Sequence, residues 1–582
     1  MKPLKTFFTD RSPKETGLPI LLIALLFAAW ATFFHLGDFP LLSPDEGRNA
    51  EVAREMKIDG RWLVPTYDGA VYLDKPAFFF KATALSLAAF GDNEAAARLP
   101  SALSAFALLL MLMAFCHRTY GRLTAAIAGV VVASTPLFMA FSKIVIFDMM
   151  LALWVSAAIL LAYLAEEVTG AKRRQRYLLA TLCAGLATLV KGPVGFLVPL
   201  LVMAVFHGLE RHGRAIRSFF HPWHILVFLG VVLPWFVGLS LECPDFPYYG
   251  IMKESIARFT TTEFRRTQPA WYYAAIIAGC FFTWSTLLPA AMRQLIQRRF
   301  DLQRADRLFI VWALVVVIFF SLSQSKLPGY ILTGVIALGV LVARILARAL
   351  EGDDSVALDL VRRGALMLGM VSLLLLCPLL IFMFNPGDVP TPRWLTPVAL
   401  MQFAPLFPGF ILSLGATAVM AFIAFFTHSA RGAVVAYLIF PVLLLTLNFE
   451  VIPRHAAIKS GLSLVNRLPS TVTQETEIAC LACMPSGVPF YLGRLVTVFT
   501  EEGRELTSNY VIFSLASGKS WPTQLVPWAL RETYLSRTEH PLFLMATGER
   551  REELVLRGDR VGASVVPLAN GYFGVLLPAG NH

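Results

Sequence analysis

LPILLIALLFAAWATFFHLGDFPLLSPDEGRNA, residues 18–50, holds the two features that decide the fold. Leu18 to Leu36 contains no Asp, Glu, Lys or Arg, and it follows Lys2, Lys5, Arg11 and Lys14. A bilayer is crossed by roughly 20 apolar residues, more than a signal-peptide core holds, so this run reads as an uncut first transmembrane helix. Behind it, Ser43-Pro44-Asp45-Glu46 reads as a capping box, with Ser43 as N-cap, Pro44 at the first helical position and Glu46 reaching back. The pattern predicts a helix from Pro44 to about Ile58, ending near Gly60 and lying on the membrane surface by its moderate amphipathicity. The chain thus leaves the membrane and at once builds a helix whose first turn carries two carboxylates.

The rest of the chain agrees with a membrane reading. Of 582 residues, 57% are hydrophobic and 15% charged, with a mean hydropathy of +0.64. An average soluble domain carries roughly 25% charged residues. The net charge of +11 comes from basic residues in short loops between apolar runs, which the positive-inside rule explains. Nucleic acid is excluded as a partner, since no stretch resembles a known nucleic-acid module.

About thirteen runs qualify as spans: 18–37, 99–116, 121–141, 147–166, 177–190, 194–208, 222–241, 270–291, 307–322, 328–346, 364–384, 405–427 and 432–449. The pair 177–190 and 194–208 is split by Lys191-Gly192-Pro193, and a single kinked span is the alternative there. This count gathers the basic loops on the N-terminal, cytoplasmic side. Residues 38–98, the turns at 142–147 and Lys191, 242–269, 323–327, 385–404 and everything after 450 go to the other side. The expected domains are 1–451, a polytopic α-helical membrane domain with a first loop at 38–98, and 452–582, a soluble periplasmic α/β domain. In the second, strand-length runs appear at 478–481, 495–499, 510–515, 542–545, 563–567 and 573–577, with a helical pattern at 457–468. Roughly 130 residues suffice for a separate core.

Of seven cysteines, Cys116, Cys183, Cys280 and Cys377 read as small buried hydrophobes. Cys480 and Cys483 form a lone C-x-x-C, which lacks the second pair of a four-thiolate zinc site. It reads as two thiols near a strand end or as a disulfide.

Ionisable residues beside membrane-embedded segments are costly and tend to mark a substrate path. Asp45 sits in a first helical turn, where the helix dipole favours its charge, and Arg48 faces the same way one turn on. Lys75 precedes Pro76 at a helix start, a position unfavourable to a cation unless an anion joins it. Lys143 and Asp148 flank the fourth span, Lys191 sits at a helix break, Arg258 lies in the 242–269 loop, and Lys326 and Tyr330 open the tenth span. All fall on the side of Asp45. Two carboxylates among several cations on one face suit a phosphorylated, membrane-bound substrate: the cations hold phosphate, and a carboxylate serves as acid, base or electrostatic stabiliser. Unrelated interfacial anchors would also account for them.

Several stretches carry a family resemblance. Ser43-Pro44-Asp45-Glu46-Gly47-Arg48 resembles the first-loop signature of the GT-C glycosyltransferases, in the branch of aminoarabinose and protein O-mannosyl transferases. Tyr72-Leu73-Asp74-Lys75-Pro76, Leu189-Val190-Lys191-Gly192-Pro193, Ser325-Lys326-Leu327-Pro328-Gly329-Tyr330 and Pro489-Phe490-Tyr491-Leu492-Gly493-Arg494 are similar to motifs of the bacterial aminoarabinose transferases, in the family's order. The resemblance implies a GT-C fold and an inverting transfer of a sugar from undecaprenyl phosphate to a lipid A phosphate. It places this on the periplasmic face of a Gram-negative inner membrane. It implies that Asp45 and Asp148 are the cavity aspartates, that Lys75, Arg258 and Tyr330 hold the carrier phosphate, and that Arg48, Glu46, Asp74, Lys191 and Lys326 line the cavity. No cofactor and a monomeric chain are expected; no P-loop or Rossmann fingerprint is present.

The sequence departs from the family at Asn49, where Tyr is common, and at Asp74, where the motif has Glu. Where a family structure binds metal through Glu and His, this chain has Asp74 and Lys253, so no metal is expected. These departures leave the sugar open between aminoarabinose, another amino sugar and a neutral one. A transferase acting on protein or other glycans, and a lipid-linked-sugar flippase, are the competing functions. Against the flippase, the charges lie on one face and no repeat is visible.

Overall fold

A computed structural model of the protein describes residues 17–211, 220–297, 301–352, 354–384, 403–536 and 540–579. The basic stretch before the first helix, residues 212–219 and most of the 385–404 loop lie outside the described residues. Each predicted span falls on a helix or a bent pair of helices. Among the described residues, seven helices are long and apolar enough to cross a membrane, or up to ten if each of three bent pairs is one span. That is fewer than the thirteen expected from hydropathy alone. Gly17–Phe33 and Val194–Leu209 are short, and Gly170–Lys191 opens on Lys172, Arg173, Arg174 and Arg176. The expected span 270–291 is not one rod: Tyr272–Cys280 and Trp284–Ile296 meet at 114°. The turn is held by Thr283, whose hydroxyl donates to the Tyr437 carbonyl at 2.7 Å, and by Trp284 stacked on the Tyr437 ring.

Lys191-Gly192-Pro193 separates two helices rather than kinking one. Gly192 turns the chain at φ 80°, and Pro193 caps Val194–Leu209. The second helix then packs so closely on the first that a Cβ on Gly195 would lie 2.3 Å from the Ala187 and Thr188 backbone. We expect Gly195→Ala to cost about 1–3 kcal/mol by overpacking, visible as a lowered midpoint of thermal unfolding in detergent.

The C-terminal part holds one mixed sheet in the order β5-β4-β3-β6-β8-β7, where β3 is Glu477–Leu481, β4 Thr497–Thr500, β5 Leu525–Pro527, β6 Leu542–Thr547, β7 Val566–Pro567 and β8 Tyr572–Leu577. The first four are parallel to their neighbours; β8 runs antiparallel to β6 and β7. The lower numbers β1 and β2 belong to a hairpin in the first loop, Thr66–Tyr67 and Ala70–Val71. The preceding helix, Ala430–Lys459, runs through residue 452 before the sheet begins.

One sequence reading changes type: 510–515 is not a strand but part of the helix Asn509–Ala516. Ser508 accepts from the Val511 amide, and Asp74, more than 400 residues away in sequence, accepts from the Asn509 and Tyr510 amides. This tertiary cap outweighs the local strand preference of Tyr-Val-Ile-Phe. Cys480 and Cys483 are buried free thiols, which removes the disulfide reading, and Cys377 is exposed on Ser355–Phe384 rather than buried.

The first-loop helix, Asp45–Asp59, ends at Gly60 in the left-handed region as expected, but it does not lie on a surface. Ten of its residues are buried, and Ala50, Val52, Ala53 and Met56 share one core with Cys480, Phe490, Val498 and Phe543 of the sheet domain. Gly47 makes this possible: a Cβ there would come within 2.6 Å of Gly487. Nor is the expected capping box formed. Pro44 is the N-cap without a side-chain bond, and the Ser43 amide donates instead to the Lys459 carbonyl. Glu46 turns inward to Arg98 on the helix Glu94–Tyr120 and accepts from the Leu42 and Val145 amides.

Candidate active site

Between the helical bundle and the segment 246–260 lies a cavity of about 670 Å³. Lys75, Asp148, Lys191, Arg258 and Tyr330 all line it, from five regions that the sequence separates by up to 255 residues (330 − 75). Much of the remaining wall is apolar, including Leu151, Val155, Phe196, Val198, Phe228, Val232 and Phe320.

The polar end is built on Glu254, which the sequence reading did not single out. Lys75 Nζ donates to Glu254 Oε1 and, at 2.6 Å, to the Asp74 carbonyl. Arg258, one helical turn beyond Glu254, donates to that same Oε1. One carboxylate oxygen therefore faces two cations at the cavity wall. Burial lowers the affinity of Lys75 for its proton, with the Arg258 charge adding to it and Glu254 working against it. Burial also opposes the Arg258 charge, but Glu254 and the Tyr330 phenol outweigh it and hold the guanidinium above its ordinary range. Glu254 sits in Tyr249–Ala257, a π-helix, and Arg258 follows directly after its end; π-helical turns recur at functional sites.

A second ion pair stands beside the first. Lys191 Nζ lies 2.5 Å from Asp148 Oδ1, 4.8 Å from the Tyr330 ring centre and 5.0 Å from that of Phe147. Lys75 approaches the same Phe147 ring at 5.8 Å. Gly329 allows the turn Pro328–Ile331 to pass here, since a Cβ would sit 3.0 Å from Asp148 Oδ1 and 2.7 Å from Phe141.

Asp74 lines the cavity, but its oxygens are committed elsewhere. Tyr249 donates to Oδ1 at 2.7 Å, and the Tyr510 and Asn509 amides bind Oδ1 and Oδ2 at 2.8 and 3.0 Å. It ties the C-terminal sheet domain to the membrane domain. Arg48 grips the same stretch, donating to the Thr507 hydroxyl at 2.7 Å and the Thr507 carbonyl at 3.1 Å. Arg48 also pairs with Asp45 at 2.5 Å, as the helix spacing predicts, and Asp45 is 58% exposed. Asp45 and Arg48 do not line the cavity of Lys75; they lie beside it, with Arg48 at 5.7 Å from the ring of Tyr72, three residues before Lys75.

Three expected participants are placed otherwise. Glu46 is 2% exposed and committed to Arg98, so it supports the fold and not the cavity. Lys143 donates to the Phe34 carbonyl at 2.7 Å. Lys326 is buried outside the cavity wall, its backbone amide bonded to the Arg266 carbonyl. For Glu46 a buried counter-ion and for Lys143 a carbonyl just past the end of the first helix decided the placement, which sequence spacing does not reveal.

The family model described as dolichyl-phosphate-mannose-protein mannosyltransferase matches residues 74–237. An undecaprenyl phosphate-alpha-4-amino-4-deoxy-L-arabinose arabinosyl transferase of Shewanella sediminis is 30% identical over 450 residues, 75% of this chain and 78% of that one. The protein of the same name from Photorhabdus laumondii is 31% identical over 52% of this chain and 55% of its own. Among solved structures, ArnT from Cupriavidus metallidurans bound to undecaprenyl phosphate superposes with a TM-score of 0.76 at 24% identity, covering 97% of this chain and 98% of that one. The fold is that of ArnT, a GT-C fold, and the chain, a multi-span membrane glycosyltransferase, belongs to the family of undecaprenyl phosphate-aminoarabinose arabinosyl transferases.

Proposed function

We propose that the protein moves 4-amino-4-deoxy-L-arabinose, with inversion, from undecaprenyl phosphate to a phosphate of lipid A. The observation that carries the reading is Lys75 and Arg258 sharing one carboxylate at the polar end of an otherwise apolar cavity. Such an end suits a lipid phosphate, and the apolar wall suits its prenyl chain. In this reading the chain works as a monomer in the inner membrane of a Gram-negative cell. The N-terminus is cytoplasmic, and the site and the unit 452–582 are periplasmic.

Lys75, Arg258 and Tyr330 neutralise the departing carrier phosphate. Asp148 fixes Lys191 beside Tyr330, so it acts by positioning a cation. The lipid A phosphate is already anionic and needs little deprotonation. Asp45, exposed enough to meet an incoming headgroup, stabilises positive charge developing on the sugar. Arg48 holds Asp45 in place, and Asp74 keeps the sheet domain against the site.

The test is Asp45→Asn, which keeps the shape and removes the charge. We expect transfer to fall about 10²–10³-fold, the usual scale for one electrostatic stabiliser, with undecaprenyl phosphate binding retained. Mass spectrometry of lipid A reads the outcome in cells. Unchanged lipid A modification by the variant would remove Asp45 from the mechanism, and a different sugar on lipid A would correct the donor.

A further inference from the structure

We infer that Glu254 is an internal stand-in for the carrier phosphate: its carboxylate bridges Lys75 and Arg258 until a polyprenyl phosphate displaces it, and returns to help expel the spent carrier. This rests on the assignment of Lys75 and Arg258 to the phosphate. Both cations meet one and the same oxygen, Glu254 Oε1. Glu254 Oε2 and Arg258 Nε are buried without a hydrogen-bond partner among the described residues. The bridge thus leaves the Arg258 Nε donor unused, and a phosphate with its several acceptor oxygens would take it up better than a single carboxylate oxygen does.

The charge arithmetic gives the bridge a purpose. The donor is a phosphodiester with one negative charge. Sugar transfer breaks its bond to the anomeric carbon and leaves a phosphomonoester, which carries roughly −1.5 to −2 at neutral pH. Two bare cations would hold that product more tightly than the donor, and turnover would stall. A tethered carboxylate competes with both ligands and is always at hand, because Glu254 and Arg258 are one turn apart. It weakens donor binding somewhat and speeds product release.

The full-length protein in detergent tests this with undecaprenyl phosphate and undecaprenol as ligands. Glu254→Gln should bind undecaprenyl phosphate about tenfold more tightly, the worth of one charge-assisted hydrogen bond, with undecaprenol binding unchanged. KM and kcat should both fall, with stronger inhibition by added undecaprenyl phosphate. Equal or weaker phosphate binding overturns the inference. Should the Gln variant not fold, Glu254→Asp, too short to reach both cations, should tighten binding in the same direction, and weaker binding then overturns it. Lys75→Ala separates the two levels. If it loses the preference for undecaprenyl phosphate over undecaprenol while Glu254→Gln gains none, only the stand-in role fails; if it keeps that preference, the phosphate site fails and the stand-in role with it.

Discussion

Cells carrying Lys75→Ala should show lipid A without the added sugar, while the protein is still made and inserted. Lys75 supplies one of the two cations that meet Glu254 at the cavity wall. Without it Glu254 keeps Arg258 as a partner, so no charge is stranded and the fold is retained. The departing phosphate, however, loses a largely buried positive charge, which counts for more than one in solution. The expected loss of transfer is about 10²–10³-fold. Lys75→Arg should recover only part of it, because a planar fork does not replace a compact ammonium between Glu254 and the Asp74 carbonyl. Mass spectrometry of lipid A measures the transfer, and thermal unfolding in detergent confirms the fold. Full modification in the Lys75→Ala strain would contradict the phosphate site.

Arg98→Ala should be the most damaging substitution for stability. Arg98 is 0% exposed, and its guanidinium donates to both oxygens of Glu46 at 2.9 Å. It also reaches the carbonyls of Leu36, Phe39 and Pro40 at 3.0, 2.8 and 3.1 Å, closing the exit of the first helix. Alanine would leave the Glu46 carboxylate and three carbonyls buried without their cation. Breaking one side of such a pair costs about 3–5 kcal/mol, against a total native stability of about 5–15 kcal/mol. We expect little folded protein in the membrane and a much lower unfolding midpoint for what remains. A midpoint within a few degrees of the parent would show that Glu46 is held by the Leu42 and Val145 amides alone. Arg98 does not line the cavity, and its hydrogen-bond partners do not include the cavity cations, so residual folded protein should retain transferase activity.

The two predictions mark the boundary between what local sequence discloses and what it hides. Asp45 and Arg48 pair as helix spacing requires, and Lys75, Asp148, Lys191, Arg258 and Tyr330 converge on one cavity, as the sequence reading expected of them. Membrane segments of this kind are legible because each must satisfy its backbone bonds within itself and present apolar side chains outward. Glu46 looked like a cavity residue because it is an acid beside the right motif, and Asp74, which does line the cavity, commits its oxygens elsewhere. Their real partners, Arg98 and the start of the helix Asn509–Ala516, lie 52 and 435 residues away. Glu254 gave one faint signal, its four-residue spacing from Arg258, which is common on any exposed helix.

By itself the sequence determined the membrane class, the order of the helices and the sheet domain that follows them. These depend on composition, hydropathy and short-range periodicity, which act over tens of residues. Only the tertiary structure decided which acid meets which base, that the first-loop helix is clamped under the sheet domain instead of lying on lipid, and that 510–515 is helical. Ion pairing and capping in a low-dielectric interior go to whichever partner packing brings within about 3 Å, and no pattern along the chain encodes that distance.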